Sequence, residues 1–197
     1  NSIDSINHLF NESDNYFSYL YKDIYTGFTV SYNAAAPIFT ASSIKAPAMI
    51  YLYEMASQGK IDLSEELVYD GRFYSTGSGI LKDREKGTSY DIDTLISYSI
   101  HASDNIAYAM LMNRFGRENV LSFWNKLGTK NIYTFDTIWG DTSANDASIY
   151  MTELYDFYKS NNDYGTKLMN YFKEAEWKIL TNKDGGHNTA NKGGWSN

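Results

Sequence analysis

A near-alternating pattern opens the chain, and a three-to-four-residue spacing replaces it through the middle. Residues 16–22 (Tyr-Phe-Ser-Tyr-Leu-Tyr-Lys) and 27–33 (Gly-Phe-Thr-Val-Ser-Tyr-Asn) are rich in aromatic and β-branched side chains, and the short Asp23–Thr26 link between them predicts a hairpin. Ahead of it, Ile3, Ile6, Leu9 and Phe10 share one helical face, which predicts a short helix over residues 3–10. Pro37 to Thr40 reads as a short extended lead into a helix over 42–57, with Gly59 as its stop. Ala48, Met49, Leu52, Met55 and Ala56 make that helix largely buried. Pro47 removes one helical donor and predicts a local distortion.

Residues 70–90 have no steady period and carry Gly71, Gly77, Gly79 and Gly87, so they read as loop. Helical spacing returns at about 91–100, 104–115 and 117–127, with Gly116 and Gly128 as stops. Residues 129–142 read as irregular. Ser143-Ala-Asn-Asp146 is a capping box with Asp in place of Glu, opening a helix to about Lys159 with Ile149, Leu154 and Phe157 inward. A further helix is predicted over about 164–177, and Thr189–Ser196 reads as a strand. Strands at both ends around a block of helices predict an α+β fold: a mostly antiparallel sheet built from both chain ends, with an inserted all-helical lobe. One domain in two lobes is expected, an α/β lobe over about 1–45 and 160–197 and a helical lobe over about 46–159.

Composition narrows the partners. A net charge of −7 over 197 residues, with a pI near 4.9, argues against nucleic acid and anionic membranes. There are no cysteines, which excludes disulfides and thiolate metal sites, and the three histidines are scattered. No metal and no cofactor are expected. The start, Asn1-Ser2-Ile3-Asp4, is not a signal segment.

The candidate chemistry begins at Ser42-Ser43-Ile44-Lys45. Residues three apart on a helix share a face, so the Ser42 hydroxyl and the Lys45 amine can touch. A serine hydroxyl needs a base to become a nucleophile, and a lysine can be that base only when its pKa is lowered. Burial and a second cation lower it, and Lys192 could be that cation. Backbone N–H groups at a helix start would stabilise charge on an acyl oxygen. Ser-x-x-Lys alone recurs by chance. Two further motifs follow it: Ser103-Asp104-Asn105, where Ser103 also reads as a helix cap, and Lys192-Gly193-Gly194, which also reads as a glycine-rich end with a solvated lysine.

In that order the three motifs resemble those of class A β-lactamases and penicillin-binding proteins. The resemblance extends to Ala48–Leu67 and to Asp141-Thr-Ser-Ala-Asn-Asp146, and so covers nearly the whole chain. It implies a serine acyl-transfer hydrolase acylated at Ser42 by a β-lactam or a D-alanyl (peptidoglycan-stem) peptide, located outside the cell or in its envelope. In that reading Lys45 is the base and Ser103 relays a proton to the leaving group, while Asp104 is structural. Lys192 holds an anionic group, and Asn105 bonds a substrate amide. Gly194 lets the substrate backbone approach, and the Trp195 N–H completes an oxyanion hole with that of Ser42. Tyr74, or its neighbour Phe73, walls the cleft, although an ordinary exposed aromatic is the plainer reading of Tyr74.

The chain departs from the family in three places. Residues 131–142 contain no Glu, where class A β-lactamases carry a Glu-x-x-Leu-Asn segment that positions the deacylating water. Asp136 and Asp141 are the acids there, and Asp141 matches a loop-closing aspartate better. Lys-Gly-Gly replaces Lys-Thr-Gly, losing a hydroxyl that Ser196 would have to replace. The final strands and closing helix of the family are missing, which predicts a split sheet with exposed edges, completed by a second chain or a cleaved C-terminal piece. Slow deacylation follows as an expectation. Two alternatives stand beside the β-lactamase reading: a DD-peptidase, penicillin-binding protein or esterase, and a catalytically degenerate β-lactam-binding or sensor domain.

Overall fold

The computed structural model describes residues 4–5, 8, 16–130, 138–160, 162–178 and 189–195. The short helix expected over 3–10 lies almost wholly outside these, as do Asp136 and Ser196.

The protein is α+β, and the described residues form short antiparallel ladders around the six α-helices taken up below. The predicted hairpin forms from β1 (Tyr19–Lys22) and β2 (Thr29–Tyr32), pairing Tyr19 with Tyr32 and Lys22 with Thr29. Its turn is held by the Asp23 carboxylate, which accepts from the Tyr25 and Thr26 amides. At Gly27 the backbone takes a φ of 73°, which a residue without Cβ adopts freely. A second ladder pairs β3 (Ile38–Phe39) with β6 (Asp141–Thr142).

The third ladder was not legible. β4 (Glu66–Tyr69) pairs with β5 (Thr88–Asp91), inside and just before the stretch read as loop. Four-residue strands joined across an 18-residue connection leave no local alternation to read. Conversely, residues 189–195 carry no strand ladder, although their sequence predicts a strand. The strand pattern needs a partner edge to become a ladder, and none of the described strands supplies one to this segment.

The helices fall close to expectation. α1 spans Lys45–Ser57, preceded by a 3₁₀ turn over Ala41–Ile44, so the helix is tighter at its start than a single α-helix from Ser42. Pro47 is the third α-helical residue, where first-turn amides have no helical partner and a missing N–H costs little. α2 (Ile92–His101) is capped by Asp91, which accepts from the Thr94 amide. α3 (Asn105–Phe115) is capped by Asp104 and not by Ser103. α4 covers Arg117–Lys126. α5 (Ala144–Lys159) opens on the predicted box, with Ser143 Oγ accepting from the Asp146 amide at 3.1 Å. α6 runs Asp163–Lys173, shorter than expected.

α1 is buried on all sides: Ala46, Ala48, Met49, Ile50, Leu52, Tyr53 and Ala56 are all at or below 3 % exposure, as a central helix requires. α2, α4, α5 and α6 surround it, and β1 packs on α5. From α4 the Trp124 indole N–H donates to the Pro47 carbonyl at 3.0 Å. That bond satisfies the one polar atom of a fully buried ring and anchors the first turn of α1.

Glu54 on α1 and Glu153 on α5 meet where these helices pack. Burial, and then the Glu153 carboxylate, pushes the Glu54 carboxyl up from 4.5 to about 7. The protonated form stabilises the fold below the unfolded value, and that contribution is lost as pH rises through about 7. Glu54→Gln is expected to raise the thermal midpoint at pH 8 and to change it little at pH 5. The same shift at both pH values would show that the charge on Glu54 is not the cause.

Candidate active site

Ser42 sits in the 3₁₀ turn that leads into α1. Thr40 fixes the approach to it. The Thr40 amide and hydroxyl both donate to the Gly140 carbonyl, at 3.0 and 2.8 Å, and the Ser43 amide and hydroxyl both donate back to the Thr40 carbonyl. Ala41 takes a φ of 44°, a left-handed conformation costing a non-glycine residue about 1 kcal/mol or more. The turn therefore spends strain to place the Ser42 side chain over the start of α1.

Lys45 is wholly buried, at 0 % exposure. Its Nζ lies 2.6 Å from the Ser103 carbonyl oxygen, 2.7 Å from Asn105 Oδ1, 3.1 Å from Ser42 Oγ and 3.4 Å from Ser103 Oγ. Ser103 supplies two of these oxygens because its φ is 54°, which turns carbonyl and side chain to the same side. This conformation also explains why Asp104 and not Ser103 caps α3: a cap residue sits in the extended region, as Asp104 does at φ −64° and ψ 118°. Burial first, and then the Lys192 charge, lowers the Lys45 pKa to about 6, with Asp104 opposing.

Lys192 donates to Ser103 Oγ at 3.0 Å and to the Gly193 carbonyl at 2.7 Å. Burial lowers its pKa to about 8. Lys45 loses its proton first, and so exerts no charge on Lys192 while Lys192 titrates. The two amines thus share one hydroxyl, that of Ser103, and over about one pH decade on either side of 7 one is neutral and the other charged.

Asp104 holds the frame. Oδ1 accepts from the Ile106 and Ala107 amides, and Oδ2 from the Ile80 and Leu81 amides, all within 2.9 Å. One carboxylate thus ties the start of α3 to the loop over 70–87. Gly77 and Gly79 let that loop close: a Cβ at either would collide with the Asn105 amide or with Asp104. The Asn105 amide donates to the Ser78 carbonyl at 3.1 Å. Sequence reading passed over these glycines as loop punctuation, and Thr76-Gly-Ser-Gly79 was the available signal.

Gly194 is equally constrained. A Cβ there would come within 2.7 Å of the Ser42 nitrogen and against the Thr40 carbonyl, so only glycine fits beside the turn that carries Ser42. Trp195 follows, 51 % exposed, with its ring edge-on to Trp177 at 5.0 Å. Tyr74 stands 57 % exposed on the same loop, ahead of Gly77. Trp139 and Tyr108, neither expected here, place their rings 5.3 and 5.9 Å from Lys45 Nζ. An isolated aromatic in an irregular loop gives no sequence signal of this.

Asp141 lies buried in β6, opposite Phe39. Among the described residues the hydrogen bonds of Lys45 go to Ser42, Ser103 and Asn105, and none goes to a carboxylate. Also among the described residues, no group of three or more His, Asp or Glu could hold a metal ion.

The backbone resembles a β-lactamase from Sphaerobacter thermophilus, at TM-score 0.78 and 17% identity, over 88% of this chain and 69% of that one. PBP-A is matched at TM-score 0.79 and 18% identity, over 91% of this chain and 69% of that one. A β-lactamase from Chitinophaga pinensis is matched at 0.76 and 16%, over 89% and 70%. A search of curated proteins finds no match. At such identities these likenesses establish the fold alone. The family description "Beta-lactamase enzyme family" matches residues 1–197, the whole of the sequence that carries this arrangement of Ser42, Lys45, Ser103 and Lys192, and on that match the chain belongs to the β-lactamase enzyme family.

Proposed function

We propose that this protein is a serine acyl-transfer hydrolase, acylated at Ser42 by a β-lactam or a D-alanyl peptide. The observation that carries the proposal is the setting of Lys45. A neutral amine has two N–H donors and one lone pair. The two shortest contacts, to the Ser103 carbonyl and Asn105 Oδ1, use both donors. The lone pair is then left for the Ser42 hydroxyl at 3.1 Å, which donates to it. Lys45 is thereby aimed as a general base as well as tuned to be one.

In the acylation step Lys45 takes the Ser42 proton while Oγ forms a bond to the substrate carbonyl carbon. The backbone amides of Ser42 and Trp195 would face the oxygen that becomes negative. As the C–N bond breaks, the Ser103 hydroxyl, within 3.4 Å of Lys45, passes a proton to the leaving nitrogen and is resupplied from Lys45. Lys192 keeps the Ser103 hydroxyl oriented and offers its charge to the substrate carboxylate. Asn105 bonds the substrate amide. Tyr74 flanks the entrance, and action outside the cell or in its envelope accords with these substrates.

One observation favours a second reading, that of a penicillin-binding protein or β-lactam sensor that stays acylated. Among the described residues Lys45 has no carboxylate partner that could share the activation of a deacylating water. A variant of PBP-A, at TM-score 0.79, is itself described as an acyl-enzyme complex with penicillin G. A cavity of about 790 Å³ bounded by β1, β3, the start of α5 and Lys192–Gly194 supports one more expectation, that further strands seat there from a second chain or a separate piece.

Incubation with penicillin G, followed by intact mass, should give a one-to-one adduct that is absent in Ser42→Ala. An undiminished adduct in Ser42→Ala would sink the assignment of the nucleophile. Lys45→Met should slow acylation by roughly 10²–10⁴-fold, the usual contribution of a general base, with the thermal midpoint kept or raised because an unfavourable buried amine is gone. The acylation rate should rise as pH passes about 6, where Lys45 becomes neutral, and fall above about 8, where Lys192 loses its charge. A rate still climbing through pH 9 would remove Lys192 from the charged role.

A further inference from the structure

We propose that Asp93, in the first turn of α2, is a positioning residue for the reaction: by tying α6 to α2 it sets the reach of Lys192 to the Ser103 hydroxyl. The proposal rests on acylation at Ser42 with Lys192 in its charged role, and adds what holds that lysine.

Three helices meet on this one carboxylate, which is largely buried. Asp93 Oδ1 accepts from the Tyr53 hydroxyl of α1 and, at 3.1 Å, from the Tyr171 hydroxyl of α6. Its Oδ2 accepts from the Lys167 amine, also of α6. The Tyr53 ring stands edge-on to Tyr171 and Tyr164, with centroids 6.2 and 6.3 Å away. Burial, and then the bond to Asp93, pushes the Tyr53 hydroxyl up. The bond to Asp93 pushes the Lys167 amine up, and burial does the same to the Tyr171 hydroxyl. All three donors therefore keep their protons where Lys45 and Lys192 titrate.

These bonds fix how far along α2 the helix α6 stands. Leu168, Met169 and Phe172 bury the inner face of α6, but apolar contact is non-directional. Hydrogen bonds to a charged acceptor are directional and short, and they select one axial position. A second tie lies at the far end of α2, where the Glu176 amide, just past α6, donates to the His101 carbonyl at 3.0 Å. The two helices thus run alongside one another in the same direction, joined near both ends.

Each of them delivers one partner of the site. α2 ends at His101, two residues before Ser103. The Phe172 carbonyl of α6 accepts from the Asn191 amide at 2.9 Å, and Lys192 follows at once. Tyr171, bonded to Asp93, is the neighbour of Phe172. The 3.0 Å contact from Lys192 Nζ to Ser103 Oγ therefore spans from the end of α2 to a residue hung on α6. Sliding α6 changes that gap directly. A Lys192 drawn out of its place loses burial, which raises its pKa, and withdraws its charge from Lys45, which raises that of Lys45 too.

Lys167→Met combined with Tyr171→Phe removes both α6 donors and leaves Asp93 bonded to Tyr53, so no buried donor is orphaned. Tyr53→Phe is the comparison: it removes a bond to the same carboxylate but keeps α6 tied to α2. All three proteins keep Asp104 and the His101–Glu176 pair, whose contributions are then common to them. Penicillin G acylation is followed by intact mass against pH, with the thermal midpoint of each protein. The double variant should lose roughly tenfold in rate at pH 7. Its rising and falling limbs, at about 6 and about 8 in the unsubstituted protein, should both move up by about 0.5 pH unit or more. Tyr53→Phe should lower the thermal midpoint and leave both limbs in place. Unmoved limbs in the double variant would overturn this proposal and leave acylation standing. Limbs moved as far in Tyr53→Phe would also overturn it, since general loosening of the core would then suffice. No adduct in the unsubstituted protein would overturn the acylation reading, and this proposal with it.

Discussion

Everything at this site depends on keeping one amine buried. An ammonium taken from water without partners costs several kcal/mol, so a fully buried lysine either finds compensation or gives up its proton. Lys45 is offered both outcomes. Ser103 and Asn105 provide neutral oxygens within 2.7 Å, which suit an amine and suit an ammonium only in part. The nearby Lys192 tilts the balance toward the neutral form, and Asp104 moderates it. The result is an amine whose proton is loosely held, 3.1 Å from the Ser42 hydroxyl oxygen.

The surrounding elements follow from that requirement. Non-glycine residues with positive φ stand on both sides of Lys45: Ala41 ahead of Ser42, and Ser103 ahead of α3. Each spends backbone strain to turn an oxygen toward the amine. What offsets the strain is close packing with no slack. Asp104 binds four amides, Thr40 binds Gly140 twice, and Gly79 and Gly194 touch where a methyl group would not fit. A site assembled by contacts of this kind has few alternative arrangements of similar energy.

Much of this was legible in the sequence, for reasons that differ by element. α1, α3 and α5 were readable because buried faces repeat at helical spacing and because Gly116 and the Ser143–Asp146 box mark ends. Ser42, Lys45, Ser103 and Lys192 were legible as motifs, and the fold brings them within hydrogen-bonding reach of one another. The β4–β5 ladder was not, because its pairing spans a long connection and leaves no local period. The capping of α3 was assigned to the wrong neighbour because Ser and Asp are both good caps, and only the backbone angle at Ser103 decides between them. Trp139 was invisible for a different reason. Its place beside Lys45 is set through the backbone, where the Ile138 and Gly140 carbonyls on either side of it are bonded to Tyr108 and Thr40, which no side-chain pattern reveals.

The segment over 189–195 is held in place without a ladder among the described strands. Residues 189–195 form no ladder with the described strands, yet Lys192 reaches Ser103. Two contacts flank the lysine and replace the ladder. The Asn191 amide donates to the Phe172 carbonyl at 2.9 Å, near the end of α6, and Gly194 lies against the Ser42 and Ser43 nitrogens. With one anchor on the helical side and the other on the turn that carries Ser42, the three peptide links between Asn191 and Gly194 leave Lys192 little freedom. The position of the second amine is thus fixed by α6 and by the turn that it serves, so the electrostatics of Lys45 do not require a continuous sheet. Strands seated in the cavity beside β1 would stiffen this segment, but the charge that lowers the Lys45 pKa is in place without them.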